Sequence, residues 1–429
     1  MVRERAAQVL DLAGAIGRGL LESACSAADT VETVRQVCRS GGLEHVAAHV
    51  SHTKLTLSWR PPGQEPMARV ETIGPRSFDY GRQTRFRNLA QRVTDGRLDL
   101  DAAQLAATEA EGARGAYPGW TIYPLAGSAG ASAAILFGGD WRAALAAFAA
   151  NVLLAWVMPA LGSRGWPAFY LQIIAGFVGQ LAALALRLID PGINASVVVI
   201  AVILIMFAGM TTTGAVKDAI TGWELTAAGR LMEAVVNTAG LVVGIRGGLL
   251  VSERLGVDMA IVADVARADF PLWGLMLASA FVGGAFSMVA QSPPRVIAPT
   301  ATLAALSWLI FAAATGPLGL PAAWASGLSA VAAGAIGVLL ARWLRACVDG
   351  FAVAAVVPLM PGILIYQGLW KLGGDLSGAT ESLVAAAATA LALAVGLTFG
   401  EYLGAGAAHR LSRAVDHLVP VFARRRQGV

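Results

Sequence analysis

Ten apolar stretches dominate this sequence from about residue 121 onward. They lie at 121–138, 142–161, 168–188, 195–216, 225–250, 271–290, 296–315, 321–344, 351–371 and 381–403. Each is close to the length of about 20 residues that a helix needs to cross a bilayer. Only 14% of the 429 residues are charged and 56% are hydrophobic, whereas a soluble chain carries about 25% charged residues. The sequence therefore predicts a mostly α-helical, polytopic membrane protein with about ten transmembrane helices.

A small soluble α+β domain is predicted for residues 1–118, which precede the apolar stretches. Helical periodicity begins near the N-terminus, and Asp29 with Thr30 is expected to cap a second helix that ends at Gly41. Alternating apolar and polar residues predict strands. The expected helices are 3–23, 30–40, 80–94 and 100–111, and the expected strands are 46–50, 54–59 and 68–73.

The sequence contains none of the motifs that would indicate an enzyme or an ATP-driven pump. It has no HExxH, GxSxG or Walker A pattern, and its three cysteines have neither disulfide nor metal spacing. His45 and His49 share one face of a predicted strand while His52 does not, so we interpret them as solvated histidines. We therefore expect no catalytic activity, no cofactor and no metal. The formal charge of +4 marks no nucleic-acid surface.

The distribution of lysine and arginine predicts that both termini are cytoplasmic. Loops on the N-terminal side carry more basic residues than the opposite loops, where acidic residues offset the basic ones. Basic residues near membrane helices favour the cytoplasmic side. Residues 406–429 then form a basic cytoplasmic tail. The expected location is the cell membrane, with the lipid bilayer as a partner, and a homo-oligomer is left open.

Glycine interrupts two of the apolar stretches, and these lie five stretches apart. The fourth contains Gly209 and the ninth contains Gly362, which follows a Pro-Leu-Met-Pro run. An odd number of helices in each repeat would invert the second copy relative to the first, and paired broken helices of this kind are typical of transporter sites. We predict an inverted repeat with halves at 119–250 and 270–405. The alternative is that glycine and proline are simply common in membrane helices.

The fifth stretch carries polar side chains on one predicted helical face. Arg230, Glu233 and Asn237 are spaced three and four residues apart. A charge inside a lipid-facing helix is costly, so such residues usually face a bundle interior or an aqueous path. We interpret this face as the wall of a pathway. The alternative, which stays open, is that Arg230 and Glu233 form a salt bridge that only holds helices together.

Several short motifs occur in an order and spacing that resemble the threonine/serine exporter family of bacteria and fungi. They are Arg76–Tyr80, Gly96–Asp99, Leu136–Gly139, Lys217–Gly222, Ala228–Glu233 and Pro358–Gly362 with Tyr366. The resemblance implies a soluble N-terminal domain followed by ten membrane helices in two related halves. In one departure, Ala208 stands where the family commonly has proline, so the fourth helix is expected to be less broken.

The function implied by this resemblance is secondary export of threonine or serine by alternating access, with protons as the expected coupling ion. A related two-subunit pair exports succinate, so export of small dicarboxylates is the alternative. Arg230 is expected to hold a carboxylate, and Glu233 or Asp218 to bind the ammonium or carry a proton. Alternatively, Asp218 only anchors its helix and Tyr366 only packs. The expected substrate-binding residues are Gly209, Thr211, Thr212, Thr213, Asp218, Arg230, Glu233, Asn237, Pro361, Gly362 and Tyr366.

Overall fold

The computed structural model of the protein describes residues 2–426, except 62, 64, 192, 207–208, 258, 260–269 and 372–374. Side chains at 2, at 205–211, at 409 and at 411–426 are also outside the described part. The predicted departure at Ala208 therefore lies outside the described residues.

Residues 2–112 form four helices and one antiparallel sheet with the strand order β1-β2-β3. The elements are α1 Val2–Glu22, α2 Ala27–Ser40, β1 Ala47–Val50, β2 Lys54–Trp59, β3 Met67–Thr72, α3 Tyr80–Thr94 and α4 Leu100–Gly112. Leu10, Ile16, Leu55 and Phe86 are fully buried in one apolar core, to which all four helices contribute. This core stabilises the elements against each other because their apolar faces are removed from water.

The cap of helix α2 differs from the prediction. Ser26, rather than Asp29 with Thr30, is the N-cap residue, and its hydroxyl accepts a hydrogen bond from the Asp29 amide at 3.2 Å. Ser26 has the extended backbone that an N-cap residue requires (φ −68°, ψ 153°). Asp29 therefore lies within the first turn of α2, where its carboxylate is available for a distant partner.

Twelve further helical segments follow among the described residues, and their apolar character makes the chain a polytopic membrane protein. They are α5 Gly119–Leu136, α6 Trp141–Gly162, α7 Ala168–Ile189, α8 Ser196–Met206, α9 Gly209–Ile220, α10 Glu224–Arg254, α11 Leu272–Val289, α12 Pro294–Thr315, α13 Ala322–Leu344, α14 Asp349–Val356, α15 Gly362–Lys371 and α16 Leu376–Arg426. Seven of those described are individually long and apolar enough to span a membrane. The α14 segment and α15 together make an eighth candidate, bent by 47° between Leu359 and Gly362.

Two pairs of helices pack closely through glycines that recur at every fourth position. These glycines are Gly240, Gly244 and Gly248 of α10, which faces α7, and Gly396, Gly400 and Gly404 of α16, which faces α13. A β carbon at Gly244 would collide with the Ile173 carbonyl oxygen, and one at Gly400 would collide with the Val331 carbonyl oxygen. Small residues let the backbones of two membrane helices come this close, and the close contact stabilises the helix pair.

Changing Gly244 to alanine should lower the free energy of unfolding by about 1–3 kcal/mol or more, because a backbone oxygen cannot move aside as a side chain can. Gly247→Ala on the same helix is the matched control, since its β carbon would meet nothing closer than Phe177 at 3.6 Å. Thermal unfolding of the two purified variants in detergent measures the difference. Equal stability of both would contradict the close crossing of α7 and α10.

The N-terminal elements contact several helix ends at one end of the membrane region. Thr226 at the start of α10 donates a hydrogen bond to the Val50 carbonyl oxygen at 3.1 Å. The Tyr80 amide donates to the carbonyl oxygen of Ala290, just after α11, at 2.9 Å. The C-terminal part of the apolar span of α16 reaches the same end through Glu401. Helices α10 and α16 therefore run in opposite directions relative to the N-terminal elements.

Candidate functional site

Three carboxylate side chains from different helices converge on Lys217, near the end of α9. The Lys217 Nζ lies 2.7 Å from Glu401 Oε2, 3.1 Å from Asp29 Oδ2 and 3.9 Å from Asp349 Oδ1. These carboxylates belong to α16, α2 and α14, so the N-terminal elements and helices α9, α14 and α16 meet here. We call these four residues the Lys217 cluster.

Negative charge exceeds positive charge around Lys217. Asp29 has a second cation, because the Arg87 guanidinium lies 3.4 Å away, and Asp349 accepts a hydrogen bond from the Gln83 amide at 2.7 Å. Burial opposes ionisation of Asp29, but Lys217 and Arg87 more than offset it and hold the pKa of Asp29 below its usual range. Three carboxylates thus face two cations, which suits the cluster to receive a proton or an ammonium group.

Two voids meet at the Lys217 cluster. A cleft of about 1410 Å³ lies between α3, α13 and α16, and a smaller cavity of about 30 Å³ lies beside it. Lys217, Thr398 and Glu401 line both voids. Thr213, one of the predicted substrate contacts, lines the small cavity. The ion pair between Lys217 and Glu401 is therefore part of the wall between the two voids.

Asp218 and Arg230 form a separate buried pair beside this cluster. Asp218 is fully buried, and its Oδ2 lies 2.9 Å from Nη1 of Arg230. The other carboxylate oxygen accepts the Ala27 amide at 2.8 Å, while Arg230 donates to the Cys25 carbonyl oxygen at 2.8 Å. The pair thus ties α9 and α10 to the turn between α1 and α2, which agrees with the anchoring alternative for Asp218.

Glu233 does not pair with Arg230, in contrast to the salt bridge considered from the sequence. Its side chain is 39% exposed, and its Oε2 lies 3.9 Å from Nε2 of His52. Burial and the neighbouring Arg76 guanidinium lower the pKa of His52, so this histidine is neutral at pH 7 and forms no ion pair. Arg230 turns instead to Asp218 on the adjacent α9, and Asn237 is half-buried on α10.

The remaining predicted residues lie at the bend before α15 and at the start of α9. Pro361 and Gly362 are buried at the bend before α15, where the Gly362 backbone approaches Ile200 of α8. Tyr366 is fully buried and donates a hydrogen bond to Gln180 of α7 at 3.4 Å. Gly209, Thr211 and Thr212 belong to the first turn of α9; Thr212 is half-buried, and the side chains of the preceding residues are outside the described part.

Sequence reasoning missed four residues that the structure brings to these sites: Asp29, Asp349, Glu401 and Gln180. Glu401 had a usable signal, since it is a lone carboxylate at the end of the last apolar stretch, where charges usually have a functional reason. The sequence predicts only a capping role for Asp29, at the start of the second helix. Gln180 is fully buried, and its amide nitrogen has no hydrogen-bond partner among the described residues.

None of the described residues form a metal-binding group of three or more histidine, cysteine, aspartate or glutamate side chains. The chemistry that the described clusters offer is therefore charge pairing, hydrogen bonding and proton transfer. These are the interactions by which a small zwitterion or a carboxylate is recognised.

Comparison with known proteins identifies the family. The family model described as "Putative threonine/serine exporter" matches residues 11–252, more than half of the chain. The chain belongs to this family. A second model, "Threonine/Serine exporter, ThrE", matches residues 275–403. The predicted resemblance is thereby confirmed, and membership indicates a transporter rather than an enzyme.

Two curated relatives cover almost the whole chain of this family member. The "Probable threonine/serine exporter" of Mycobacterium tuberculosis is 28% identical over 418 residues, which is 95% of this chain and 79% of the relative. The "Threonine/serine exporter" of Corynebacterium glutamicum is 28% identical over 429 residues, covering 95% and 84% of the two chains. No solved structure matches this chain.

Proposed function

We propose that this protein exports threonine or serine across the cytoplasmic membrane as a secondary transporter that works by alternating access. Family membership and the names of its relatives support the substrate class. One observation carries the mechanism: Lys217 and Glu401 pair at 2.7 Å in the wall shared by the large cleft and the small cavity. Substrate would pass this wall only when the ion pair opens.

The groups around the small cavity match those of a hydroxy amino acid. Lys217 supplies a cation for the carboxylate, Asp349 supplies an acid for the ammonium, and Thr213 supplies a hydroxyl. The cavity of about 30 Å³ has room for about one water molecule. We therefore assign substrate binding to a more open arrangement, in which α9, α14 and α16 move apart.

The residues predicted from the sequence take different parts in this proposal. Thr213 contacts substrate beside the Lys217 cluster. Asp218 and Arg230 hold the N-terminal elements in place, and Glu233 and Asn237 of α10 lie outside the route. The residues that we assign to a deeper part of the pathway, near the contact between α8 and α15, are Gly209, Thr211, Thr212, Pro361, Gly362 and Tyr366.

Proton coupling fits Glu401 better than Glu233. Glu401 shares one ammonium group with two other carboxylates, whereas Glu233 is partly exposed and its ion-pair contact among the described residues is His52, which is neutral at pH 7. Ionised Glu401 and Asp349 would hold the substrate ammonium while Lys217 holds its carboxylate, so substrate binds the deprotonated cluster. A proton that reaches Glu401 from the opposite side of the membrane would displace the ammonium group and be carried inward as the emptied site returns. Proton and substrate then move in opposite directions, which is an antiport cycle.

A pH gradient should therefore drive export from reconstituted vesicles when the side away from the N-terminal elements is acidic. A gradient of about one pH unit supplies about 1.4 kcal/mol for each proton, or about a tenfold concentration ratio. Glu401→Gln should abolish this acceleration and retain some downhill exchange, while Glu233→Gln should behave like the unaltered protein. Export that ignores the pH gradient and follows a sodium gradient would overturn the proton mechanism.

Ten membrane helices in an inverted five-plus-five repeat are the architecture that we propose, with residues 1–118 and 406–429 cytoplasmic. The opposite directions of α10 and α16 support it, as do their glycines at every fourth position and the bend between α14 and α15. Two exposed serines offer a test. A membrane-impermeant thiol reagent applied to intact cells should label Ser377→Cys and leave Ser163→Cys unlabelled. Labelling of both, or of Ser163→Cys alone, would contradict this orientation.

Export of a small dicarboxylate such as succinate is the second candidate, and the large cleft supports it. Its walls carry seven arginine and lysine residues against three acidic ones, which raises the local concentration of anions. Counterflow into vesicles loaded with threonine, serine or succinate separates the two functions. Succinate exchange without threonine or serine exchange would favour the second candidate.

A further inference from the structure

The positive charge of the large cleft is only partly balanced. Its three acidic residues are already paired, Asp29 and Glu401 with Lys217 and Asp95 with Arg97. The other basic side chains on the walls include Arg92 of α3, Arg342 and Arg345, and none of these three has an ion-pair partner among the described residues. Unpaired guanidinium groups in a cleft are a receptor for an anion.

The cleft lies where a membrane surface would meet the protein. Arg342 is in the last turn of α13, one of the candidate membrane spans, and Arg345 follows its end. Trp343 between them is 77% exposed, and Tyr402 on α16 is 61% exposed. Tryptophan and tyrosine at the ends of membrane helices mark the level of the lipid headgroups. The arginines are thus at the height of phosphate groups.

Hydrogen bonds hold the backbone at Leu344 and Arg345 in place. Arg345 has a left-handed backbone (φ 49°), and Arg295 donates to the carbonyl oxygens of Leu344 at 2.8 Å and Arg345 at 3.1 Å. Asn88 of α3 also donates to the Arg345 carbonyl oxygen at 3.5 Å. Arg295 is therefore engaged in holding the chain, and the side chains of Arg342 and Arg345 remain available for a ligand.

We propose that the cleft binds the phosphate headgroup of an anionic phospholipid through Arg342 and Arg345, with Arg92 on the facing wall as a third contact. Guanidinium groups bind phosphate oxygens in pairs and suit this headgroup. Such a lipid joins α3 of the N-terminal elements to α13, beside the Lys217 cluster. This inference does not depend on which solute the protein exports.

The test measures lipid retained by the full-length protein. Protein reconstituted into vesicles of equal parts phosphatidylcholine and phosphatidylglycerol is extracted into detergent, and bound lipid is quantified by mass spectrometry during titration with phosphatidylglycerol. The double variant Arg342→Gln with Arg345→Gln should bind phosphatidylglycerol about thirtyfold more weakly. Arg164→Gln, a change at an exposed arginine in the α6–α7 loop, should leave binding unchanged.

Two further comparisons keep the outcome decisive. The variant Arg342→Lys with Arg345→Lys keeps the charge and should recover most of the binding. If the glutamine variant fails to fold, the lysine variant is measured with and without Arg92→Gln, which again compares lipid binding before and after loss of an arginine charge. Unchanged phosphatidylglycerol binding after loss of the charges would overturn the proposal. Displacement of the lipid by inorganic phosphate at equal concentration would also overturn it, because the cleft would then be a site for soluble anions.

Discussion

A Lys217→Met variant should export nothing and should unfold with a free energy lower by about 3–5 kcal/mol, the usual cost of removing one partner of a buried ion pair. Methionine keeps most of the length of the side chain but removes the ammonium that three carboxylates share. Asp349 and Glu401 are only 15% and 16% exposed, so water only partly compensates for the lost charge. Denaturant titration in detergent and export from vesicles give the two readouts.

Matched variants separate the charge of Lys217 from its place in the pathway. Lys217→Arg keeps the charge and should stay folded, while Lys54→Met, at an exposed lysine of β2, should change neither stability nor export. Adding Glu401→Gln to Lys217→Met removes one charge of each sign and should recover much of the stability without recovering export. If Lys217→Met exported at the normal rate, the Lys217 cluster would not be the gate.

Lowering the pH should destabilise the Lys217 cluster, and the pH range of this loss follows from the pKa of Asp29. The folded state holds this pKa below its ordinary value of 3.8, so the carboxylate contributes stability at neutral pH. The contribution of Asp29 to the free energy of unfolding is fully present at pH values above its ordinary pKa of 3.8 and is lost as the pH falls below that value. The stability difference between the unaltered protein and Asp29→Asn should therefore persist at pH values above about 5.

An Arg230→Ala variant should lose about 3–5 kcal/mol of unfolding free energy, because it leaves Asp218 buried without its cation. It also removes the hydrogen bond to the Cys25 carbonyl oxygen, so the turn between α1 and α2 should detach from α9 and α10. Cys25 reports this directly, since it is buried and burial raises the pKa of its thiol. Its maleimide labelling should rise by at least about tenfold.

A comparison with Glu233 distinguishes two interpretations of α10: that its polar face is the wall of a pathway, or that Arg230 anchors the N-terminal elements. Labelling is measured with Cys38 and Cys347 changed to alanine, so that only Cys25 reacts. Glu233→Ala should alter stability by no more than about 0.5 kcal/mol, because the side chain is partly exposed and forms no ion pair with arginine or lysine among the described residues. Equal damage from Glu233→Ala and Arg230→Ala would instead support the pathway wall predicted from the sequence.

Local properties of the chain could be predicted well. The strand at Lys54–Trp59 and the helix at Tyr80–Thr94 lie where the alternation and periodicity place them. The glycine at 362 starts the second segment of a bent helix, as its Pro-Leu-Met-Pro-Gly context indicates. Apolar length and helix-breaking residues act within a few positions of each other, so the sequence contains the information directly.

The partners of the charged residues could not be predicted in this way. Lys217 and Glu401 are 184 residues apart, and Asp218 and Ala27 are 191 residues apart. Spacing along α10 suggested that Arg230 and Glu233 belong together, because helical periodicity describes only one helix. The sequence by itself determined which segments are apolar enough to enter a membrane and that one of them is bent before Gly362. Only the tertiary structure decided which buried charges meet, because a charge in a low-dielectric interior pairs with whichever partner the packing of distant helices brings within reach.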